Sequence, residues 1–265
     1  MRCRLKATAQ SPYEVNTKLN QRQTKSMKRI LSFILFVFFS AHSHAEIQRS
    51  VGDVHEVASN KLIYQEHHTF SYSTADEYMQ TEYKALDKSI IAKRRVNFEN
   101  GYAKDYVFEQ PGLNQKTSVV RGETEIEYVA QKGDEIKSKS FSVNEIDSAV
   151  VNAGMFNAVE RHWSQLIEGE KISIDLVVPE RGRTYSMNIS QVKLDGSKMS
   201  EHMATDGKIV FNLVIASRLL RLLVAPVELG YDLNTKRLVF YQGPSNIKKP
   251  SGKKYGDIWI KYDNF

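Results

Sequence analysis

Residues 61–72 read KLIYQEHHTFSY, and their alternation decides the fold class. Leu62, Tyr64, Glu66 and His68 fall on one side of an extended chain and Ile63, Gln65 and His67 on the other, because successive strand side chains point to opposite faces. The same period recurs downstream, broken by turn residues. It predicts strands at 79–85, 89–99, 102–108, 117–120, 124–130 and 135–143, with Asn100-Gly101, Pro111-Gly112, Arg121-Gly122 and Lys132-Gly133-Asp134 between them. Asn-Gly is the strongest of these signals, since both residues accept positive φ. A second series covers 171–178, 183–192, 198–204, 208–215, 227–231, 237–242 and 257–262.

Between the two series the period lengthens. Val151, Met155, Val159, Trp163 and Leu166 or Ile167 recur at steps of three or four and predict one amphipathic helix over 151–167, capped by Asn152 or Ser148 and closed by Gly169. Residues 217–224 (SRLLRLLV) predict a short helix stopped by Pro226. Its leucines at 219, 220, 222 and 223 exceed one apolar stripe, so it is expected within the core or against a lipid or partner. The fold class that follows is mainly β. A single antiparallel curved sheet or open barrel of about ten to twelve strands packs around the 151–167 helix, with the short helix beside it. Residues 46–60 are polar and read as a flexible lead-in to one β-rich domain over 61–265.

The first 45 residues set the expected address. Met27-Lys28-Arg29 precedes an apolar run over 30–39, and Ala41-His42-Ser43-His44-Ala45 supplies small residues for cleavage between Ala45 and Glu46. Ten residues of helix rise only about 15 Å, half a bilayer core, so the run reads as a signal peptide at 27–45 rather than a span. Residues 1–26 are polar and read as an extension upstream of a true start at Met27. Cys3 is the single cysteine, so the exported chain is expected to carry no disulfide, thiol nucleophile or lipid-bearing cysteine. Of 37 Lys and Arg and 31 Asp and Glu, eight and one lie in residues 1–45, which leaves a net charge of −1. That charge argues against a nucleic-acid partner. The apolar stretch 209–229 is interrupted by Asn212, Arg218, Arg221 and Pro226, and a charge at bilayer centre costs roughly 3 kcal/mol, so no transmembrane span is expected after cleavage.

The residues that bear chemistry are few. No histidine pair has the i, i+4 spacing of a zinc protease, and no metal or other cofactor is expected. Glu66 and His68 share a strand face, either as a surface pair or as an acid/base pair. Ser245 in Gly243-Pro244-Ser245-Asn246-Ile247 is the nearest approach to a nucleophile elbow, but it lacks the second glycine and a following helix. Ser245 and Asn246 are expected instead to fix the final hairpin. Lys248, Lys249, Lys253 and Lys254 read as a solvated hairpin tip.

Four segments together resemble a family of exported proteobacterial proteins without an assigned activity. They are Lys61 through His67; Gly154-Met155-Phe156-Asn157 through Trp163 to Gly169-Glu170; Leu219 through Val224 with Pro226; and Asp232 through Lys236-Arg237-Leu238 to Tyr241-Gln242-Gly243-Pro244-Ser245-Asn246-Ile247. The likeness covers most of 61–262 and departs at Pro244, where leucine is expected. In order of elements the chain also distantly resembles the periplasmic lipoprotein-carrier fold, a half barrel around an apolar cavity. The resemblance brings no catalytic residues.

Export, a sheet large enough to curl, and the lack of a catalytic motif point to a non-enzymatic periplasmic protein binding a hydrophobic ligand or envelope component. Met155, Phe156, Val159 and Trp163 are the expected ligand-binding residues, with a lipid the expected ligand. The alternatives are an interaction or scaffold protein docking on another envelope protein, and a hydrolase built on Glu66, His68 or Ser245.

Overall fold

The alternating segments assemble into one sheet of fifteen strands in the computed structural model, which describes residues 47–73, 76–99, 102–142, 149–151, 154–178, 183–222 and 224–263. The strands are β1 (Ile47–Glu56), β2 (Leu62–Ser73), β3 (Asp76–Lys84), β4 (Ile90–Glu99), β5 (Tyr102–Gln110), β6 (Gln115–Arg121), β7 (Glu125–Lys132) and β8 (Glu135–Ser142). They continue as β9 (Ala149–Val151), β10 (Ile172–Val178), β11 (Arg183–Val192), β12 (Lys208–Ile215), β13 (Val227–Asp232), β14 (Leu238–Pro244) and β15 (Asp257–Tyr262). Two helices, α1 (Gly154–Arg161) and α2 (Trp163–Ile167), separate β9 from β10.

The spatial order is β8-β7-β6-β5-β4-β3-β2-β1-β15-β14-β13-β12-β11-β10-β9. Every neighbouring pair is antiparallel except β9 with β10, which is parallel. Two meanders are thus joined where β1 pairs with β15, Gly52 opposite Tyr262. Strands β5 and β9 stand eleven places apart in this order, yet they touch. In a flat sheet that separation would be about 50 Å at the usual interstrand spacing, so accumulated twist has curled the sheet back on itself. Strand β9 meets β5, three places in from the edge strand β8, and among the described residues no ladder joins the two ends of the order, so the sheet stays open.

The concave face holds two apolar cores. One gathers Val54, Tyr64, Met79, Tyr83, Val96 and Tyr106 with their neighbours on β6, β7 and β15. The other packs Ala158, Val159, Trp163 and Leu166 of the helices on Ile174, Ile189, Phe211 and Tyr231. Trp163 meets Phe211 and Tyr231 edge-on at 5.8 and 5.7 Å. Phe156, Leu238 and Tyr241 contact both cores and mark the seam between them. A third, smaller cluster on the convex face joins Met199, Val210, Phe240 and Trp259.

Several expectations need correction. The described residues form fifteen strands, not ten to twelve. The described part of the expected lead-in, 47–60, is not loose: β1 occupies Ile47–Glu56 between β2 and β15, facing its small residues Ser50 and Gly52 inward with Val54. The 151–167 helix is divided. Its first residue belongs to β9, and the stretch 154–167 breaks at His162 (φ −103°, ψ 17°) into α1 and α2. Gly169 does close the second helix at φ +86°, its N–H reaching the Leu166 carbonyl. Among the described residues of the expected helix at 217–224 only Leu220–Leu222 is helical, a 3-10 turn, because Arg221 donates back to the carbonyls of Ile215 and Ala216 at 2.6 and 3.1 Å, and Leu219 is left 72% exposed. The expected strand at 198–204 is a 3-10 segment (Lys198–Glu201), where the Ser197 hydroxyl and the Glu228 carboxylate accept the N–H groups of Ser200 and Lys198. Asn100-Gly101, Ser148 and Asn152 lie outside the described residues, although Glu99 and Tyr102 do pair across the first of these.

That 3-10 segment seats His202 on the convex cluster. The His202 ring stacks on one face of Trp259 at 4.3 Å and His55 on the other at 3.9 Å. Burial lowers the His202 pKa. A histidine depressed in the folded state takes up its proton more readily when unfolded, so the protein loses stability as pH falls below the ordinary value near 6.5. Urea midpoints at pH 7.5 and 5.5 are expected to differ less in His202→Phe than in the parent protein. An unchanged difference would remove His202 from the acid response.

Candidate functional site

Strand β2 carries the site because its inward file continues as Tyr64, Glu66, His68, Phe70 and Tyr72. Glu66 and His68 are each 5% exposed, and Thr81 of β3 and Arg94 of β4 are 0% and 6% exposed beside them. The strand register makes this cluster, since His68 pairs with Thr81 and Thr81 with Arg94. Arg94 Nη2 donates to Thr81 Oγ1 at 3.0 Å. The Thr81 hydroxyl hydrogen is then free to go to His68 Nδ1, 2.9 Å away. With that hydrogen on His68 Nδ1 the other ring nitrogen, Nε2, carries the ring hydrogen, and in the other tautomer Nδ1–H donates to Thr81 Oγ1 instead. His68 Nε2 lies 3.1 Å from Glu66 Oε2, out of line for a hydrogen bond. Tyr262 donates to the same carboxylate oxygen at 3.4 Å. Burial works against the charge on Arg94, but Tyr83 and Glu66 offset it and hold the guanidinium above its ordinary pKa.

One end of the concave face is closed by the loop between β14 and β15. Ser245 Oγ meets Tyr64 Oη at 3.1 Å, Asn246 Nδ2 donates to Tyr83 Oη at 2.8 Å, and Ile247 between them is 1% exposed. Gln110 holds the Lys248 backbone through both its amide N–H and its carbonyl. Ser245 and Asn246 therefore anchor the final hairpin to the sheet wall. Lys248 and Lys249 are not free at a tip, for their ammonium groups reach Gln115 at 2.8 Å and Glu56 at 3.5 Å.

Toward the other end lies a cavity of about 70 Å³ at the seam of the two cores. Phe70, Met79, Phe156, Leu238 and Tyr262 give it an apolar wall. Phe70 and Tyr72 stack at 6.3 Å and 9°, and Tyr72, 53% exposed, marks the mouth. The polar lining is Ser50, His68, Tyr231, Glu160 and Arg237. Tyr231 is 1% exposed, and its hydroxyl has no hydrogen-bond partner among the described residues. Glu160 on α1 has its pKa raised by desolvation and by Glu77 nearby. Arg237 Nη2 donates to Gln48 Oε1 at 2.9 Å.

Of the four ligand-binding residues expected from sequence, Phe156 alone lines this cavity. Val159 and Trp163 are core beneath the helices, and Met155 packs against that core. Glu66 and His68 do come together, but Ser245 sits beside Tyr64, about 13 Å along the strand from His68 at the usual rise per residue. Ser50, directly opposite His68, donates to the Asp263 carbonyl at 3.2 Å. The continuing alternation from Glu66 to Tyr72 was a usable signal for the cavity wall. Nothing local marks Tyr231, Leu238 or Tyr262, which arrive through the sheet order.

No protein-family model matches the chain, and no curated protein does. Among solved structures the chain is similar to a beta-barrel-like protein of a domain of unknown function, DUF1849, from Brucella abortus. That likeness spans 83% of this chain and 98% of the other at 9% identity, with a TM-score of 0.43.

Proposed function

We propose that the protein is an exported, non-enzymatic binding protein of a bacterial periplasm, and that its ligand places one small apolar group in the seam cavity. The signal-peptide pattern at 27–45 supports the address. The cavity carries the binding reading, because it is walled by aromatic and aliphatic side chains and opens beside Tyr72. Its size sets the ligand. Sites for whole drug-sized molecules run to about 300–1,000 Å³ and an apolar cavity that takes benzene to about 150 Å³, whereas about 70 Å³ takes a short branched chain end or part of a ring whose remainder lies in the mouth. The rest of the ligand then projects past the mouth, so an enclosed lipid is disfavoured. The bound states of Ser50 and Ser245 support a role without a serine nucleophile.

Native mass spectrometry of the protein purified from a periplasm tests this. A stoichiometric, solvent-extractable extra mass is expected on the parent protein and absent from Leu238→Trp, which fills the cavity without changing the far-UV circular dichroism. A bare parent protein that also gains no thermal stability from toluene would contradict the reading.

A further inference from the structure

We infer that one margin of the sheet docks on an anionic phospholipid bilayer through the lysines of the β14–β15 connection and the turns beside it. This goes beyond the cavity reading and does not depend on it. Antiparallel order sends alternate connections to opposite margins. Glu56 at the end of β1 lies opposite Ile258 near the start of β15, and Val57 N–H donates to the Asp257 carbonyl at 3.0 Å. The β1–β2 turn and the β14–β15 connection are therefore neighbours, and the β3–β4 turn and the β12–β13 connection share their margin. The described connections on this margin hold eight Lys and Arg against two acids, Asp87 and Asp134. Those on the opposite margin, with the β9–β10 crossover set aside, hold four of each sign.

The positive charge is gathered at one tip. Lys248 and Lys254 stand opposite each other in a β-bridge, and Lys249 N–H donates to the Lys253 carbonyl at 2.8 Å, so a short hairpin holds four ammonium groups. Like charges directly opposite are destabilising. Lys248 and Lys249 lean away to Gln115 and Glu56. Lys253 and Lys254, like Lys61, Lys88 and Arg218 on the neighbouring turns, are exposed and make no ion pair among the described residues. An anionic surface supplies the countercharge that the fold withholds. Val57, Leu86 and Leu219 are exposed on the same turns. Separate aliphatic tips among lysines suit a fluid headgroup layer, into which each dips alone; a protein partner would ask for one contiguous patch. Docking this way turns the cavity mouth at Tyr72, late in β2, away from the membrane.

The test is sedimentation of the protein purified from a periplasm with vesicles of phosphatidylethanolamine carrying about one quarter phosphatidylglycerol, and with vesicles of phosphatidylcholine alone. The anionic vesicles are expected to carry the protein down and the neutral ones to leave it in solution, and salt raised to about 1 M should release it. Lys253→Gln with Lys254→Gln should weaken binding about 25-fold, a factor of about five for each lysine near the surface. The melting temperature should not move, since both side chains are exposed at a loop tip. Lys171→Gln with Lys193→Gln removes the same charge beside the other ends of β10 and β11, and should change binding by less than about twofold. Equal losses in the two pairs would overturn the docking surface, leaving attraction by overall charge. Equal binding to both kinds of vesicle would overturn it too. So would binding to neither, which would leave an acidic protein as the partner.

Discussion

Arg94→Leu is expected to destabilise the protein by about 3–5 kcal/mol, the cost of stranding one member of a buried charge cluster. Arg94 is 6% exposed and Glu66 5%, and the guanidinium offsets that carboxylate across the inner face of β2, β3 and β4. Its loss also frees Thr81 Oγ1 from the donor that orders it. Glu66→Leu with Arg94→Leu removes both charges and should cost less than Arg94→Leu alone, because neither partner is left uncompensated. Urea unfolding monitored by circular dichroism gives both numbers. A loss under about 1 kcal/mol for Arg94→Leu would mean that water reaches the cluster.

The second large effect belongs to Gly230. A Cβ there would stand 2.4 Å from Met199 Sδ and 2.9 Å from Phe240 Cβ. The methionine end can move, but Phe240 Cβ is fixed to its strand, so Gly230→Ala is expected to cost about 1–3 kcal/mol in overpacking. Met199 is fully buried and seats the 3-10 segment on the convex face. In a Met199→Ala background the Gly230→Ala cost should fall by at least half. Equal costs in both backgrounds would place the clash elsewhere, on Phe240.

The two predictions show which parts of the molecule its sequence makes legible. Strands whose inward residues are large, such as Tyr64 in β2 or Val96 in β4, announce themselves by alternation. Strand β1 does not, because its inward positions include Ser50 and Gly52, whose ring neighbour Tyr262 arrives from the far end of the chain. The 198–204 segment shows the opposite failure. Its alternation suits a strand, but Ser197 capping and the distant Glu228 carboxylate make the 3-10 turn the better-satisfied backbone. Trp163 and Val159 carry a helical stripe that any buried helix shares, so periodicity does not separate a core residue from a cavity residue. Of the four residues expected to bind a ligand, Phe156, at the seam, has both roles. Glu66 and His68 were legible as a pair, whereas their connection to Arg94 needed the register of β2, β3 and β4.

The central claim is that the concave face keeps a cavity at its seam that accepts one small apolar group. Enclosed apolar cavities of about 150 Å³ take up benzene or xenon, and xenon, the smaller of the two, is the probe suited to about 70 Å³ behind an apolar wall. The most direct measurement is the anomalous diffraction of a crystal of the protein pressurised with xenon. A xenon peak in van der Waals contact with Phe156, Leu238 and Met79 is the expected result. A map with peaks elsewhere and none between those side chains would contradict the account.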